Sequence, residues 1–351
     1  VTISTHHYTL QPGPDPVRAV RGPRHGALLR VEFDDGTIGY ADLHPWEVFG
    51  HAPLAAHLAS LGTESPTPLA KLALRHARTD AAARRAGLSL FDGLPEVRSH
   101  ALFTSWTNAP RAAFEQCVAA GYTAIKLKIG QDPEREAATL NQLADLRLRW
   151  RLDANASLTT GGEDAAATLC SAAVPGGKSI EAFLTELNPD IRTNIEFLED
   201  PMPYESSSWM VLSEREKIPL ALDWELPSTP PPWPGARVLV IKPAAQDAFP
   251  LALAAAHAGL DIVVTHSMDH PLGQAVALWT AMRLRQRHGA LVRDGGLQAA
   301  GLYRPEAFGE RIPCRGPHTR PPAGTGFGFD DLLAALPWTA LSHGQGHRCL
   351  G

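Results

Sequence analysis

Lysine is scarce in this chain of 351 residues: of 32 basic side chains, 26 are Arg and six are Lys. The six are Lys71, Lys126, Lys128, Lys178, Lys217 and Lys242. Three of them stand in apolar, strand-like runs: Lys126 and Lys128 in TAIKLKI (123–129), and Lys242 at the end of RVLVIK (237–242). Arginine keeps its proton in proteins, whereas lysine shifts its pKa readily when buried. Lysine placed there, in an arginine-rich chain, points to a side chain that must give up a proton. Two residues apart on a strand, Lys126 and Lys128 share one face. By itself that pair also fits a solvated edge strand.

The following strands add carboxylates. WRLDAN carries Asp153, with Asn155 just beyond; IEFLEDP carries Glu199; PLALDWE carries Asp223. A single acid after a strand reads as a helix N-cap. Three on consecutive strands, converging at one rim, would repel one another without a cation. Hard oxygen ligands of this kind suit Mg²⁺, with Mn²⁺ as its substitute. Lysines from the second and sixth strands would flank these acids. A lysine beside a metal and a second lysine has its ammonium form disfavoured and can serve as a base near neutral pH. The metal would stabilise the enediolate formed when a proton next to a carboxylate is removed.

Placing such residues at one rim requires a barrel. From about His100 the chain alternates strand-like and helical patterns. The strands are 102–106, 123–129, 150–154, 195–199, 219–223, 237–242, 261–266 and a weaker ALVRD at 290–294. Pro110 opens a helix that Gly121 closes, Asp132-Pro133 caps the next, and further helices run from Phe249 to Gly259 and from Leu272 to His288. Eight strands in about 200 residues, most followed by a helix, suggest a (β/α)8 barrel; a doubly wound sheet is the runner-up. Between Asp223 and Arg237 the proline-rich ELPSTPPPWPGA blocks a helix interior, so the fifth helix is expected to be lost. Residues 1 to about 97 form a separate α+β unit, with two strands around Asp34-Asp35-Gly36 and helices from Pro53 to Ala86.

Hydrophobic residues make up 44% and charged residues 20%, with a formal net charge of −5. This excludes a basic nucleic-acid footprint, and no apolar run reaches membrane-spanning length. The N-terminus lacks a secretory signal pattern. Cys117, Cys170, Cys314 and Cys349 form no C-x-x-C pair, which argues against a disulfide framework and for a cytoplasmic setting.

The strings IKLK, LDAN, FLEDP, ALD and IKPA, in this order over residues 123–244, resemble the enolase superfamily, in particular its muconate-lactonizing-enzyme-like subgroup. ADLHPWEVFG is similar to that family's capping-domain loop, THSMDHPLGQAVAL to its seventh-strand loop and helix, and AGTGFGFD to its returning C-terminal segment. The resemblance implies an α/β fold: an enolase-type modified (β/α)7β TIM barrel with an N-terminal α+β capping domain. Its divisions would be a cap over 1–97, a barrel over 98–300 and a C-terminal segment, 301–351, returning to the cap. It implies Lys128 as catalytic acid/base, Lys126 as its tuning neighbour, and Lys242 on the opposite face of the substrate. It implies Mg²⁺ on Asp153, Glu199 and Asp223, with Glu225 as fallback ligand because Asp-Trp-Glu stands where Asp-Glu is usual. Asn155 would support the metal region, and Ser267, Met268 and Trp46 would line the substrate pocket.

Within the subgroup, GYADLHPW and the compact barrel most resemble the o-succinylbenzoate synthase family, whose members dehydrate the cyclohexadiene carboxylate SHCHC by syn elimination in menaquinone biosynthesis. Dipeptide epimerases, N-acylamino acid racemases and muconate cycloisomerases share the lysines and metal, and a catalytically dead binding paralogue is the alternative of another class. The expected partner is a small-molecule carboxylate, with neither nucleic acid nor membrane. Among other signals, His266 and His270 have the i, i+4 spacing of a zinc pair, but Pro271 follows in a loop. His343, His347 and Cys349 read as a frayed tail. Gly324, Gly326 and Gly328 read as turn glycines.

Overall fold

The computed structural model describes residues 1–13, 22–158, 179–223, 226–299 and 301–341. Glu225, His343, His347 and Cys349 lie outside the described residues.

The chain opens with three antiparallel strands, β1 (Thr2–Leu10), β2 (Arg24–Glu32) and β3 (Ile38–Leu43). The β2–β3 turn uses Gly36 at φ +75°, a conformation that only glycine enters without steric cost, and Asp35 accepts from the Thr37 amide at 3.1 Å. Helices α1 (Leu54–Ser60) and α2 (Pro68–Arg85) cover one face. Pro68 fills the first helical position and Thr67 Oγ1 accepts from the Ala70 amide, a favoured start. Ala70, Ala73, Ala77 and Ala81 bring α2 against the sheet. The approach is close enough that a Cβ on Gly39 would meet Ala77 O at 1.9 Å. The other face packs Leu28, Tyr8 and Tyr40 on the core of the rest of the molecule.

Next come β4 (Ala101–Phe103), α3 (Arg111–Ala119), β5 (Ala124–Lys128), α4 (Pro133–Asn141) and β6 (Arg149–Asp153). They are followed by α5 (Ile180–Glu186), α6 (Pro189–Thr193), β7 (Ile195–Glu199), α7 (Ser206–Glu216) and β8 (Leu220–Leu222). Then follow β9 (Ala236–Ile241), α8 (Ala248–His257), β10 (Asp261–Val264) and α9 (Pro271–His288). Strands β4 to β10 form one parallel sheet in sequence order. No helix lies between β8 and β9 among the described residues; 229–234 carry four prolines, which remove amide donors.

The eighth barrel position differs from expectation. The segment 289–291 is a 3-10 turn, and pairing begins only at Val292. Val292 and Gly296 bridge β10 while Gly295 bridges Ser99 beside β4, so 292–296 joins the two edges of the sheet. A Cβ on Gly295 would lie 2.4 Å from Val264 O; glycine allows this close approach.

Two short hairpin strands, β11 (Cys314–Arg315) and β12 (His318–Thr319), precede α10 (Asp330–Ala335) and β13 (Thr339–Ala340). β13 pairs antiparallel with β1, adding a fourth strand to the N-terminal sheet. Buried Asp80 on α2 accepts from the amides of Tyr40 and Phe327 and from Arg84. A Cβ on Gly326 would fall 2.0 Å from its carboxylate. That contact explains one of the three tail glycines.

Candidate active site

The polar residues of the barrel gather at the carboxyl ends of β5 to β9. Register sets this: Lys128 pairs with Asp153, Asp153 with Glu199, and Glu199 with Ala221. Two residues past Ala221 comes Asp223, and Lys242 follows directly on β9. Below them Phe197, Ala221, Val238, Val240 and Val263 form a separate apolar cluster, on which buried Arg151 rests with its guanidinium 4.9 Å from the Phe197 ring.

The side chains interlock. Lys126 Nζ lies 2.7 Å from Asp153 Oδ2 and 2.6 Å from Glu199 Oε1. Lys128 Nζ reaches the same Asp153 oxygen at 2.5 Å and Asn155 Oδ1 at 3.1 Å. Asn155 donates to the other Asp153 oxygen, and Lys242 donates to Asp223. The Asp223 amide is held by Asp200 Oδ1 at 3.1 Å. Asn155, Ala156 and Asp200 adopt positive φ just past their strands, an uncommon conformation away from glycine, and Ala156 N donates to Asp200 O at 2.7 Å.

The electrostatics follow from this crowding. Burial opposes the Lys126 ammonium, but the Asp153 and Glu199 carboxylates outweigh it and hold its pKa above the ordinary lysine value. Burial opposes the Asp153 carboxylate too, and Lys126 and Lys128 outweigh it, so its pKa is lowered. Asp223 is lowered against its burial by Lys242. Glu199 goes the other way: burial, then the Asp153 charge, raise it well above the ordinary range. The side chain of Lys128 is 30% exposed, against 13% for Lys126. Of the two strand-mates, Lys128 is therefore the better placed to meet a substrate.

Three carboxylates at one rim are a suitable donor set for a hard divalent cation. Among the described residues, no three His, Cys, Asp or Glu side chains are already drawn around a common point. Lys242 engages Asp223 while Lys126 engages the other two. Lys126 Nζ, within 2.7 Å of two carboxylates, shows that the pocket draws positive charge, so the donor chemistry fits Mg²⁺.

The residues expected at the substrate pocket lie past β10 and in the N-terminal loop. Ser267 is buried with an unpartnered Oγ. Met268 has φ +52° and donates its amide to His266 Nδ1 at 2.9 Å. Trp46 is 2% exposed and clusters with Leu302, Phe49, Met268 and Tyr303. His266 and His270 both use Nδ1 to accept an amide proton, from Met268 and Leu272, which is a loop-capping role.

Other residues at the site were not singled out from the sequence. Trp106 Nε1 donates to Lys128 O at 2.7 Å, fixing the backbone of the candidate base; a tryptophan just past the first barrel strand was the available signal. At the joint between sheet and barrel, Tyr8 donates to Asp42 at 2.6 Å and meets His44 Nδ1 at 2.8 Å. The His270 amide donates to Asp42 Oδ2. Asp269 is buried beside Asp42, so close that a Cβ on Gly273 would meet one oxygen of each acid within 2.8 Å.

Burial pushes Asp269 up to about 7. Its unfolded value lies near ~4, so folding takes up a proton between these pH values. The corresponding stability is fully present below about pH 4 and is lost as pH rises to about 7. Asp269→Asn is therefore expected to match the parent at pH 4 and to exceed it by about 4 kcal/mol at pH 8. Urea unfolding at the two pH values checks this, and a gap that does not widen contradicts it.

Comparison with known proteins fits this geometry. The chain is 31% identical over 347 residues to the o-succinylbenzoate synthase of Bdellovibrio bacteriovorus, covering 97% of this chain and 99% of that protein. This chain belongs to the o-succinylbenzoate synthase family. It is an enzyme of the lyase class. The family model for the o-succinylbenzoate synthase N-terminal domain matches residues 3–83. Among solved structures, a mandelate racemase/muconate lactonizing enzyme from Roseovarius nubinhibens, complexed with magnesium, superposes with TM-score 0.72 at 21% identity, covering 97% of this chain and 99% of that one. A dipeptide epimerase from Enterococcus faecalis superposes with TM-score 0.70 at 14% identity, covering 93% and 98%. At these identities the likeness shows a shared fold alone. No helix among the described residues is long and apolar enough to cross a membrane.

Proposed function

We propose that the chain is a Mg²⁺-dependent dehydratase that converts SHCHC to o-succinylbenzoate in menaquinone biosynthesis. The observation that carries this reading is the interlocked set of Lys126, Lys128, Asp153, Glu199, Asp223 and Lys242 at one rim, in a chain of the o-succinylbenzoate synthase family. Asp153, Glu199 and Asp223 would hold the ion, with Asn155 orienting Asp153. Bound Mg²⁺ would supply a Lewis acid for the charge that develops on the substrate carboxylate as the α-proton leaves.

The remaining work falls to the chain. Lys128 Nζ, as the neutral amine, takes the proton next to the carboxylate. It keeps that proton and returns it to the departing hydroxyl on the same face, which is a syn elimination of water. Lys126 holds positive charge beside Lys128, between Asp153 and Glu199. Lys242, across the rim, favours the anionic intermediate. Ser267, Met268 and Trp46 would shape the pocket, with residues 1–97 as its cap.

The epimerase fold-mate makes α-proton exchange without dehydration the reading to separate. With N-acylamino acids or dipeptides in D₂O, this protein is expected to leave the α-position undeuterated over times in which SHCHC is consumed. Rapid exchange with those compounds and inert SHCHC would assign it to the racemase and epimerase reactions.

A further inference from the structure

The catalytic rim accounts for one end of a substrate: the end whose proton is removed beside a carboxylate. The proposed substrate carries a second carboxylate at the end of its succinyl arm. We propose that Arg24, at the start of β2, and Trp46, in the loop after β3, form the subsite for that distal carboxylate. This inference rests on the functional reading above.

Arg24 begins β2, and its guanidinium carbon lies 3.7 Å from the centroid of the Trp46 ring. Nη2 donates to Pro45 O at 2.6 Å, which fixes the plane of the fork. Among the described residues its buried Nε–H has no hydrogen-bond partner. Among the described residues no carboxylate forms an ion pair with it; Glu47, on an exposed turn, acts on it only at longer range. A partly buried guanidinium with an idle donor has a strong physical demand for an anion. Arginine is suited to carboxylate because its donors lie in one plane and can engage both oxygens.

The position is linked to the catalytic rim. Trp46 packs with Met268 and Tyr303, and the Tyr303 hydroxyl donates to Met268 O at 2.5 Å. Met268 lies in the loop that leaves β10, and β10 is the parallel neighbour of β9, whose end carries Lys242. Two further donors in this region are buried and, among the described residues, unpartnered: Trp46 Nε1 and Ser267 Oγ. Three idle donors around an aromatic and methionine-lined wall suit an apolar chain that ends in an acceptor. Stacking on Trp46 also holds the guanidinium flat, so little side-chain freedom remains to be lost on binding.

The test compares two ligands of the Mg²⁺-loaded full chain: o-succinylbenzoate, and 2-butyrylbenzoate, in which a methyl group replaces the distal carboxylate. The parent protein is expected to prefer the first by about 30-fold, the scale of a charge-assisted hydrogen bond. In Arg24→Gln the preference should fall to about threefold or less, with KM for SHCHC raised about 30-fold and kcat within about threefold. Arg24→Lys keeps the charge without the fork; it should show an intermediate preference, and it reads the same ratio if Arg24→Gln does not fold. A role for Arg24 in merely bracing Trp46 would weaken both ligands equally and leave the preference intact, which overturns the proposal. Parent protein that turns over SHCHC beside a variant with unchanged preference removes the Arg24 subsite alone. Parent protein that neither turns over SHCHC nor binds o-succinylbenzoate removes the functional reading and this subsite together.

Discussion

Lys128→Ala is expected to lower kcat for SHCHC by about 10⁴-fold while leaving the protein folded. The size follows from the two tasks assigned to one amine. General acid–base catalysis by a positioned group contributes roughly 10²- to 10⁴-fold, and here the same Nζ removes the proton and delivers it to the leaving hydroxyl. The fold should survive because Lys128 is the more exposed of the strand-mates and Asp153 keeps Lys126 as its partner at 2.7 Å. KM should change little, since the interaction lost is one made at the transition state. Circular dichroism and steady-state kinetics together check this. A folded variant that retains activity would remove Lys128 from the mechanism.

Asp153→Asn should have the second largest effect, through the metal. Asp153 is fully buried and answers both Lys126 and Lys128, so its replacement removes a charged ligand and unbalances two ammonium groups. Mg²⁺ binding should weaken by more than about 10²-fold, beyond the effect typical of residues that only support a ligand. Stability should also drop, by about 3 kcal/mol, because a buried ion pair loses one partner. Calorimetric titration of Mg²⁺ into metal-free protein, below the variant's unfolding midpoint, reads the first effect; urea unfolding reads the second. Unchanged Mg²⁺ affinity would place the ion elsewhere.

The parts of the site that depend on strand register were legible in the sequence. Lys126, Lys128, Asp153, Glu199, Asp223 and Lys242 each sit at or just beyond the end of an apolar run, and parallel pairing alone brings such ends to one rim. That no helix lies between β8 and β9 among the described residues was legible for a similarly local reason, the prolines. What depends on long-range packing was not legible. Tyr8, Asp42 and Asp269 meet only because the N-terminal sheet docks on α9, and no local pattern couples residues so far apart. Arg24, at the start of β2, and Trp46, in the loop after β3, meet only through a strand pairing that the sequence suggests only around the β2–β3 turn. The eighth barrel segment was read two residues early, because Ala290 and Leu291 are apolar but form a 3-10 turn, and two glycines, Gly295 and Gly296, make the closing bridges.

The central claim is most directly tested by following SHCHC spectrophotometrically with the purified protein, first with Mg²⁺ and then with EDTA. The account predicts conversion to o-succinylbenzoate that stops when EDTA removes the ion and resumes when Mg²⁺ is restored. Folded, Mg²⁺-loaded protein that leaves SHCHC unchanged would contradict it.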